Sequence, residues 1–590
     1  MKKTFILLLF AMIGINSFAQ KPDFKTPYNS NPYLTDGILE AVSYSRTRMT
    51  PINESSPESC LEIPKPFGIM GLYENGKSYF WETAKMVSLL SNISIEEQKE
   101  SSNNQILAFA IAYNNLMKSI CDSVEERHDE QKIYSVLKQL SEIPETNKAN
   151  FFAQDAQVYE ILTLLSKPSF CSKFKIENHK YDLSIIFKDN LPLLKSKKIS
   201  ISEKGIFNDE KQSYIIPENK SNDYGPAIWN PAGNCNFSSR NGTNISAVTI
   251  HTTQGSYSGA ISWAHNCNSN ISFHYIIRSS DGQVTQLVHE SDKAWHVGSQ
   301  NSYTIGIEHE GWVDNPIWYT QEMYNSSSLL TKDIINSGYG IPPYRTYFGA
   351  SSSTLQTLGG CTKIKGHQHY SGQTHTDPGI NWDWNKYYKL INSNSIVNTM
   401  NNVNGSFFDT GGEFANYSDD ERTLWLLEPS NASNVSITFD MFELESGYDY
   451  LYIYDGTDEY APLIGSYTGA NSPGTISSSG GALFFEFRSD CATTAKGWQA
   501  TYSSNGNNAS LQNEKLSDIS FYPNPISNGV NITNVEMEIK VSIQDNVGKL
   551  VFEKLINKNE YLHLDLPSGN YIMLFDDGEN RVSKPFIVSK

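Results

Sequence analysis

The sequence predicts a multidomain fold in which a helical segment comes first and strand-rich segments follow. The chain has 590 residues, and at roughly 150 residues per domain this length corresponds to about four domains. A polar, Asn-rich stretch lies at 398–405, a stretch of Ser, Asn and Gly lies at 503–508, and residues 203–225 are polar without a clear period. Stretches of this kind are typical of linkers. The candidate domains are therefore 30–200, 225–396, 406–503 and 516–590.

The N-terminus carries the features of a secretory signal peptide. Lys2 and Lys3 precede an apolar run at 5–13, and small residues near Ala19 offer a cleavage site. We therefore assign residues 1–19 to a cleaved signal peptide. The alternative is a membrane anchor, but the run is too short to cross about 30 Å of hydrocarbon. No later stretch approaches the roughly 18 apolar residues of a membrane span, so we expect no transmembrane segment in the mature chain.

The charge balance excludes one large class of partner. Lys and Arg number 46 against 64 Asp and Glu, which gives a net charge of −18. A surface that binds nucleic acid needs clustered Lys and Arg to neutralise phosphates. The sequence therefore predicts that nucleic acid is not a partner.

The cysteine count is odd, at 7. An exported chain can form disulfides. Cys235 and Cys267 flank a predicted strand and are a candidate pair. Cys60, Cys121 and Cys171 share the N-terminal candidate domain, and the sequence indicates no pairing for them.

The first candidate domain, 30–200, has a helical pattern. Residues 106–117 are apolar almost all round, as expected for a buried helix. The motifs LEAVS at 39–43 and FGIMGL at 67–72 resemble the catalytic helix and the Gly-Leu-Met turn of the lysozyme-like transglycosylase family. In that family's pattern the catalytic acid falls at Arg46, which cannot protonate a glycosidic oxygen. The resemblance implies a degenerate lysozyme-like domain that either binds glycan or is purely structural.

Histidines are concentrated in the second candidate domain, which holds nine of the 12 in the chain. A predicted strand ends at His251, and further strands are predicted at 272–277 and 304–311. The motifs GHQH at 366–369 and HTDPG at 375–379 follow. Such crowding of imidazoles indicates acid–base or metal chemistry.

In this order the motifs resemble the zinc-dependent N-acetylmuramoyl-L-alanine amidase family, which is also known as the amidase-2 or peptidoglycan-recognition fold. The resemblance implies an α/β domain with a mixed central sheet, flanking helices and a zinc cleft at its rim. It also implies hydrolysis of the amide between N-acetylmuramic acid and L-alanine of peptidoglycan. By position, His251, His367 and Asp377 are the zinc ligands. Glu308 takes the place of the general base, and His375 stands where many members carry a Lys that steadies the oxyanion.

The residue types support these roles. Two imidazoles and one carboxylate leave the fourth position of a tetrahedral zinc ion open, which marks a catalytic rather than a structural site. A carboxylate on a strand, such as Glu308, can take a proton from water and pass it to a leaving amine. We expect His274 and His296 to shape the pocket. Surface or packing positions are expected for His265, His289, His309 and His369.

The third candidate domain carries the motifs YDYLYIYDG at 448–456, RSD at 488–490 and GWQATY at 497–502. These motifs resemble the CUB family of β-sandwiches, in which a Glu and two Asp residues of many members bind calcium. By position these residues are Glu445, Asp449 and Asp490. Oxygen ligands that converge from loops suit calcium. The alternative is that these residues are ordinary solvated carboxylates of loops.

The last candidate domain consists of short strands with Gly turns, the pattern of a small β-sandwich. Its motifs are FYPNP at 521–525, VGK at 547–549, LDL at 564–566 and SGNY at 568–571. In order and spacing they resemble the C-terminal sorting domain of the type IX secretion system. The resemblance implies the type IX machinery as a partner and export across a bacterial outer membrane. We therefore expect a protein that is secreted or held at the outer cell surface.

Two alternative functions stay open on the sequence alone. One is a non-catalytic peptidoglycan-binding protein of the same fold, since recognition members of the family lose the last acidic or Cys ligand. Both Asp377 and Glu308 are present here, which favours the enzyme. The other alternative is a surface adhesin in which the CUB-like and sorting domains dominate.

Overall fold

The computed structural model divides into two compact units, Met1–Ser393 and Asn394–Lys590. Each unit is described by itself. The residues that the structure describes are 21–202, 205–208, 235–393, 395–506, 516, 518–545, 549–578 and 581–589.

The first unit begins with a helical domain, as predicted. Its longest helices are buried over much of their surface, and their first turns are capped by side chains. Ser101 accepts a hydrogen bond from the amide of Asn104, and Asn147 accepts one from the amide of Asn150. The helices are α1 (Thr26–Ser30), α2 (Ile38–Thr47), α3 (Thr83–Ser91), α4 (Ile95–Glu100), α5 (Ser102–Ile120), α6 (Glu130–Gln139), α7 (Lys148–Leu165), α8 (Pro168–Phe174), α9 (Leu183–Phe187) and α10 (Leu191–Lys195).

A seven-stranded mixed sheet follows, with the strand order β2-β1-β6-β5-β8-β4-β9. Strands β5, β8, β4 and β9 are parallel to their neighbours in this series, whereas β6 runs antiparallel to β5. The predicted α/β fold with a mixed sheet is thus confirmed. Its strands are β1 (Lys198–Ser202), β2 (Gly205–Asn208), β4 (Ala247–Ile250), β5 (Tyr275–Ile277), β6 (Val284–Gln286), β8 (Thr304–His309) and β9 (Ile364–Gly366), and β3 (Phe237–Ser239) pairs separately with β7 (Asp292–Ala294).

The two faces of this sheet are covered by different parts of the chain. Helices α12 (Gln321–Asn336) and α13 (Trp384–Ile391) share a core with Tyr275 and Ile277 of β5. Ile276, which points to the opposite face, belongs to a core that also contains α11 (Tyr257–Ala264) and the N-terminal helices. The helical domain and the α/β domain therefore share one continuous core. Strands β1 and β2, which come directly after α10, extend the same sheet.

The second unit contains two β-sandwiches, as predicted. In the first, two sheets with the orders β10-β12-β17-β14-β15 and β11-β18-β13-β16 enclose a core that includes Trp425, Phe485 and Trp498. The strands are β10 (Val397–Met400), β11 (Asn404–Phe408), β12 (Arg422–Leu427), β13 (Ala432–Glu443), β14 (Tyr450–Tyr454), β15 (Leu463–Tyr467), β16 (Thr475–Ser477), β17 (Leu483–Arg488) and β18 (Gly497–Gly506).

In the second sandwich, sheets with the orders β19-β20-β23 and β22-β21-β24-β25 bury Val530, Val541 and Met573 between them. Its strands are β19 (Ser520–Tyr522), β20 (Gly529–Thr533), β21 (Ile539–Asp545), β22 (Leu550–Ile556), β23 (Glu560–His563), β24 (Gly569–Asp576) and β25 (Arg581–Val588).

The structure contains the disulfide for which the sequence offers a candidate pair. Cys235 and Cys267 form a disulfide. Within the described ranges, which begin at residue 21, no helix is both long and apolar enough to span a bilayer. The predicted signal peptide at 1–19 lies outside the described residues.

Candidate functional site

Three neighbouring parallel strands bring the predicted site residues to one edge of the sheet. His251 follows β4, Glu308 lies near the end of β8, and His367 follows β9. In the register of these strands, Ile250 lies opposite both Ile307 and Gly366. His251, Glu308 and His367, which are the next residues along the three strands, therefore lie at the same level of the sheet. Carboxyl ends of parallel strands are the usual place for ligands in α/β sheets.

The loop that carries Asp377 closes over this edge. One carboxylate oxygen of Asp377 lies 3.0 Å from Nδ1 of His251, and the other lies 3.2 Å from Nδ1 of His367. The loop is tied down by the amide of Gln368, which donates to the carbonyl of Asp377 at 3.1 Å. A Cβ atom at Gly366 would stand 2.4 Å from Cδ of Pro378. Glycine at this position therefore lets the loop approach closely enough for Asp377 to meet both imidazoles.

The hydrogen bonds of His367 fix its tautomer. Its Nε2 lies 2.8 Å from Oε1 of Gln373, and the Gln373 amide nitrogen is oriented toward the carbonyl of Val297 and Oε1 of Gln300. Since a carbonyl-type oxygen only accepts, Nε2 of His367 carries the proton. Its Nδ1, which faces Asp377, is then a bare lone pair.

A longer relay fixes His251 in the same way. Thr304 donates its hydroxyl to the carbonyl of Gln300 at 2.9 Å, so it accepts from Nε2 of His296 at 3.2 Å. Nδ1 of His296 is then an acceptor for the Nε2 proton of His251, 2.9 Å away. Nδ1 of His251 is left bare. Outer partners that fix the tautomer in this manner are typical of metal-binding histidines.

The donor atoms at this edge fit a zinc ion. Among the described residues, Nδ1 of His367 and Oδ1 of Asp377 are buried side-chain atoms without a hydrogen-bond partner. Together with His251, one ligand atom from each of these residues lies within 4.8 Å of all the others. Two imidazole nitrogens and one carboxylate are a donor set that zinc prefers. The structure thus brings together the three residues that the sequence assigned to the metal.

A fourth residue belongs to the same group, and the sequence analysis missed it. Cys60 offers its Sγ within the same 4.8 Å, and this sulfur lies 3.9 Å from Oε1 of Glu308 and 3.9 Å from Oδ2 of Asp377. The one sequence signal for it was the odd number of cysteines, which leaves at least one thiol unpaired. Cys60, Cys121 and Cys171 are free thiols in the described structure.

Glu308 is fully buried beside the ligands. Its Oε1 lies 3.8 Å from Nδ1 of His251, and its Oε2 has no hydrogen-bond partner among the described residues. Burial, and then the charge of Asp377, raise the pKa of Glu308 well above its usual range. Glu308 thus has a raised proton affinity next to the group of metal-ligand atoms.

His375 lies at the open side of the site. Its ring is 5.6 Å from the ring of His367, centroid to centroid, and the side chain is partly exposed. Burial of part of the ring lowers the pKa of His375, although the charge of Asp377 opposes this. The residue is therefore placed beside the metal ligands and in reach of solvent or substrate.

Other histidines of this domain form hydrogen bonds with backbone atoms and are not part of the group of ligand atoms. Nδ1 of His274 accepts from the amide of Gly306 at 3.0 Å, and Nδ1 of His369 accepts from the amide of Gly366 at 3.1 Å. His309 contacts the carbonyl of His251 with its Nδ1, at 2.8 Å. These positions agree with packing rather than metal binding for His309 and His369.

A second group of carboxylates lies in the first β-sandwich of the second unit. Glu445, Asp449 and Asp490 each offer an oxygen within 4.8 Å of the others. Asp449 is buried, accepts from the hydroxyl of Tyr417 and accepts from the amide of Asp490 at 2.7 Å. Burial raises the pKa of Asp449 to about 6, and the two neighbouring carboxylates add to this. Oε2 of Glu445 is buried without a partner in the described chain, so the group fits a cation.

Comparison with known families assigns all three segments. Residues 241–380 match the family model for N-acetylmuramoyl-L-alanine amidase. Residues 398–502 match the CUB domain, and residues 520–589 match the secretion system C-terminal sorting domain. N-acetylmuramoyl-L-alanine amidase A of Achromobacter lyticus is 42% identical over 171 residues, which are 29% of this chain and 96% of that protein.

The chain belongs to the N-acetylmuramoyl-L-alanine amidase family. The amidase relative is matched over nearly its whole length, whereas other relatives are matched over a small part of theirs. Tolloid-like protein 2 of Mus musculus is 36% identical over 91 residues, which are 15% of this chain and 9% of that protein. The lysozyme-like family proposed for the N-terminal domain stays a prediction.

Solved structures of amidases are also similar to this member of the family. The Staphylococcus aureus hydrolase AmiA in complex with its ligand is 17% identical, and the match covers 30% of this chain and 82% of that one, with a TM-score of 0.22. At this TM-score the likeness adds nothing to the family assignment, which rests on the sequence of the amidase domain.

Proposed function

We propose that this amidase-family protein is a secreted zinc hydrolase that cleaves the amide between N-acetylmuramic acid and L-alanine of peptidoglycan. The observation that carries the proposal is the convergence of two bare imidazole nitrogens and one carboxylate beside the buried Glu308. His251, His367 and Asp377 would hold the metal. The 42% identity to an N-acetylmuramoyl-L-alanine amidase supports the choice of bond.

The residues of this chain suggest how the reaction is divided among them. When bound, zinc supplies Lewis acidity to the scissile carbonyl. Glu308 takes the proton of the attacking water at Oε1 and passes it to the leaving amine of L-alanine. Its raised pKa suits a group that must hold this proton between the two transfers. His375 donates a hydrogen bond to the oxyanion that develops on the carbonyl oxygen.

The bond that is cut can be identified by mass spectrometry of digested peptidoglycan. The purified mature protein should release free stem peptides that begin with the amine of L-alanine. Because Cys60 lies beside the ligands, the Cys60→Ser variant is digested in parallel. Intact disaccharide-peptides after both digestions would contradict the proposed reaction and favour a binding protein.

His375 is expected to contribute through one hydrogen bond. His375→Ala should lower the rate of stem-peptide release by about 10²–10³-fold, the cost of removing one oxyanion donor. The zinc content should stay unchanged, because His375 is not among the four grouped ligand atoms. His369→Asn, which keeps an acceptor for the amide of Gly366, is the control. A rate that stays normal in His375→Ala would exclude this residue as the oxyanion donor.

The sorting domain at the C-terminus supports a location outside the cell for this activity. The match of residues 520–589 to a secretion sorting domain confirms the predicted location, which is extracellular or on the outer surface. The type IX secretion machinery is the proposed partner for this domain, and peptidoglycan or muropeptides are the proposed substrates. An enzyme exported in this way acts on other cells or on shed wall.

The N-terminal domain is proposed to be non-catalytic. Arg46, which stands at the position of the lysozyme-like acid, is 6% exposed. Its Nη2 donates to the carbonyl of Leu140 at 2.9 Å, and its guanidinium lies over the ring of Phe109. The side chain is thus part of the packing, which supports a degenerate, structural or glycan-binding version of that fold.

Calcium is the proposed ligand of Glu445, Asp449 and Asp490. Calcium that binds only the folded state should raise the free energy of unfolding of this domain by about 2.7 kcal/mol when its concentration is 100 times its Kd. The melting temperature of the domain should rise accordingly. Scanning calorimetry of the full chain with and without calcium measures this. The shift should be lost in Asp490→Asn and kept in Asp458→Asn, a control that removes an exposed loop carboxylate of the same domain. Equal shifts in both variants would contradict the site.

A further inference from the structure

The residue beside the metal ligands comes from the helical domain and not from the amidase domain. Cys60 lies in the segment 50–66, which is part of the connection between α2 and α3 and crosses over the edge of the sheet. Glu308 and Ile276 lie opposite each other in adjacent parallel strands, and Ile276 belongs to the core shared with the N-terminal helices. Glu308 therefore projects toward the face that the helical domain covers, and Cys60 meets it there.

Contacts on both sides of Cys60 hold it at this place. Ser59 donates its hydroxyl to the carbonyl of Thr253, which is two residues beyond His251. The indole nitrogen of Trp263 donates to the carbonyl of Leu61 at 2.8 Å, and Leu61 is fully buried. The residues before and after the thiol are thus both bonded to the amidase domain.

The same segment is fastened at its beginning. Thr50 accepts a hydrogen bond from the side chain of Asn315 at 3.1 Å, and Ile52 packs into a small core with Trp312 and Trp318. Arg48 stacks over the ring of Trp318 at 3.9 Å. The segment is therefore docked along its length rather than lying loosely over the cleft.

The surroundings of the Cys60 sulfur differ from those of a packing cysteine. A buried free cysteine usually behaves as a small apolar group with a weak S–H donor, and the thiol of Cys171 donates to the carbonyl of Leu165 at 3.2 Å. The sulfur of Cys60 lies instead 3.9 Å from each of two carboxylates. A metal ion held by Cys60 together with the three predicted ligands would explain why this thiol lies beside a carboxylate and two imidazoles.

We propose that the Cys60 thiolate is the fourth ligand of the metal and keeps the enzyme latent. This inference rests on the proposed zinc site. A tetrahedral zinc ion with four protein ligands is closed, whereas a hydrolase needs one position for water. The sulfur also occupies the space next to Oε1 of Glu308 in which the attacking water would have to lie. The segment 50–66 thus blocks both the metal position and the base.

Activation then requires the segment 50–66 to withdraw from the cleft. Zinc favours the thiolate form of the cysteine, so withdrawal breaks a sulfur–metal bond as well as the hydrogen bonds of Ser59 and Leu61. The released thiolate takes up a proton from solvent, and water takes its place beside Glu308. The segment 50–66 would accordingly be an inhibitory element that the helical domain supplies to the amidase domain.

Cobalt substitution tests the ligand directly. Cobalt(II) binds the same donor types as zinc, and a cobalt–thiolate bond gives a charge-transfer absorption in the near ultraviolet. The mature full chain loaded with cobalt should show this band. Cys60→Ser should still bind cobalt through the other three ligands but lose the band. Cys121→Ser, which removes another free and partly exposed thiol, should keep it.

Alkylation and activity of the same proteins provide two further measurements. Iodoacetamide should label Cys60 of the wild type only after a chelator has removed the metal, whereas Cys121 should be labelled equally in both states. Stem-peptide release by zinc-loaded Cys60→Ser should exceed that of the wild type by about tenfold or more. The rate is proportional to the fraction of molecules in which the segment 50–66 has left the cleft, and loss of the sulfur–metal bond raises this fraction.

The outcomes separate this inference from the proposed function. A wild-type protein that binds cobalt or zinc without the thiolate band, and whose Cys60 is alkylated at the same rate with and without metal, would overturn the inference and leave the zinc hydrolase intact. A wild-type protein that binds neither metal would overturn both. Equal release by the wild type and Cys60→Ser would overturn latency.

Discussion

In the Cys60→Ser background, Glu308→Gln should lower the rate of stem-peptide release by about 10²–10⁴-fold, the usual contribution of a general acid–base group. Glutamine keeps the size of the side chain but cannot take a proton from water. Zinc content and affinity for muropeptides should stay unchanged, because Glu308 lies 3.8 Å from His251 and outside the group of four ligand atoms. Metal analysis, equilibrium binding and release assays on one preparation measure all three.

Glu310→Gln is the matched control for this prediction. Glu310 lies two residues further along the same segment, and its carboxylate accepts from the amides of Tyr257 and Ser279 at 2.9 and 2.8 Å. The Glu310 carboxylate is therefore occupied by backbone amides and is not available to take a proton from water. The rate of stem-peptide release by Glu310→Gln should stay close to that of the Cys60→Ser protein. Normal release by Glu308→Gln would show that another group is the base. Loss of zinc from that variant would show that Glu308 is a ligand.

In the same Cys60→Ser background, Asp377→Ala should abolish zinc binding and with it the release of stem peptides, because only the two imidazoles would be left as ligands. Asp377 contacts both other predicted ligands, through one oxygen to each imidazole. The loss of zinc affinity should exceed the ~10–100-fold that follows removal of an outer partner of a ligand. Metal analysis after dialysis against a weak chelator measures the change.

His369→Asn is the control for the ligand assignment. His369 is two residues from His367 and is the residue most easily mistaken for a ligand in the sequence. Its Nδ1 accepts from the amide of Gly366, and asparagine can accept in the same way. This variant should keep its zinc. Full zinc occupancy in Asp377→Ala, or loss of zinc in His369→Asn, would contradict the assignment.

The motifs predicted much of the site because its parts are local. His251 and His367 each end a strand, and a residue that ends a strand of a parallel sheet can be placed at one edge without knowledge of the rest. The amidase, CUB and sorting segments were likewise recognised from short motifs with fixed spacing. The tautomer relays through His296 and Gln373 could not be predicted, because they depend on side-chain distances.

The features that the sequence did not reveal join distant parts of the chain. Cys60 meets Glu308 across 248 positions and Asp377 across 317, and no periodicity reports such a contact. The pairing of β1 with β6 is another example, since Lys198 lies opposite Val284. Segments 30–200 and 225–396 have separate local patterns, and their shared core is visible only once α11 is seen to pack against the N-terminal helices.

The shared core has a consequence for how the protein acquires its structure. Apolar side chains of α11, such as Ile261 and Trp263, are buried in the same core as the N-terminal helices, so neither half can complete its core alone. Elements that share a core tend to form and open together as one cooperative unit. We therefore expect the newly exported chain to assemble the catalytic edge and the segment 50–66 in a single step. A folding intermediate with a complete catalytic edge but without the docked segment 50–66 would then not be populated. The cell that makes the enzyme would therefore not be exposed to an active form of it during export.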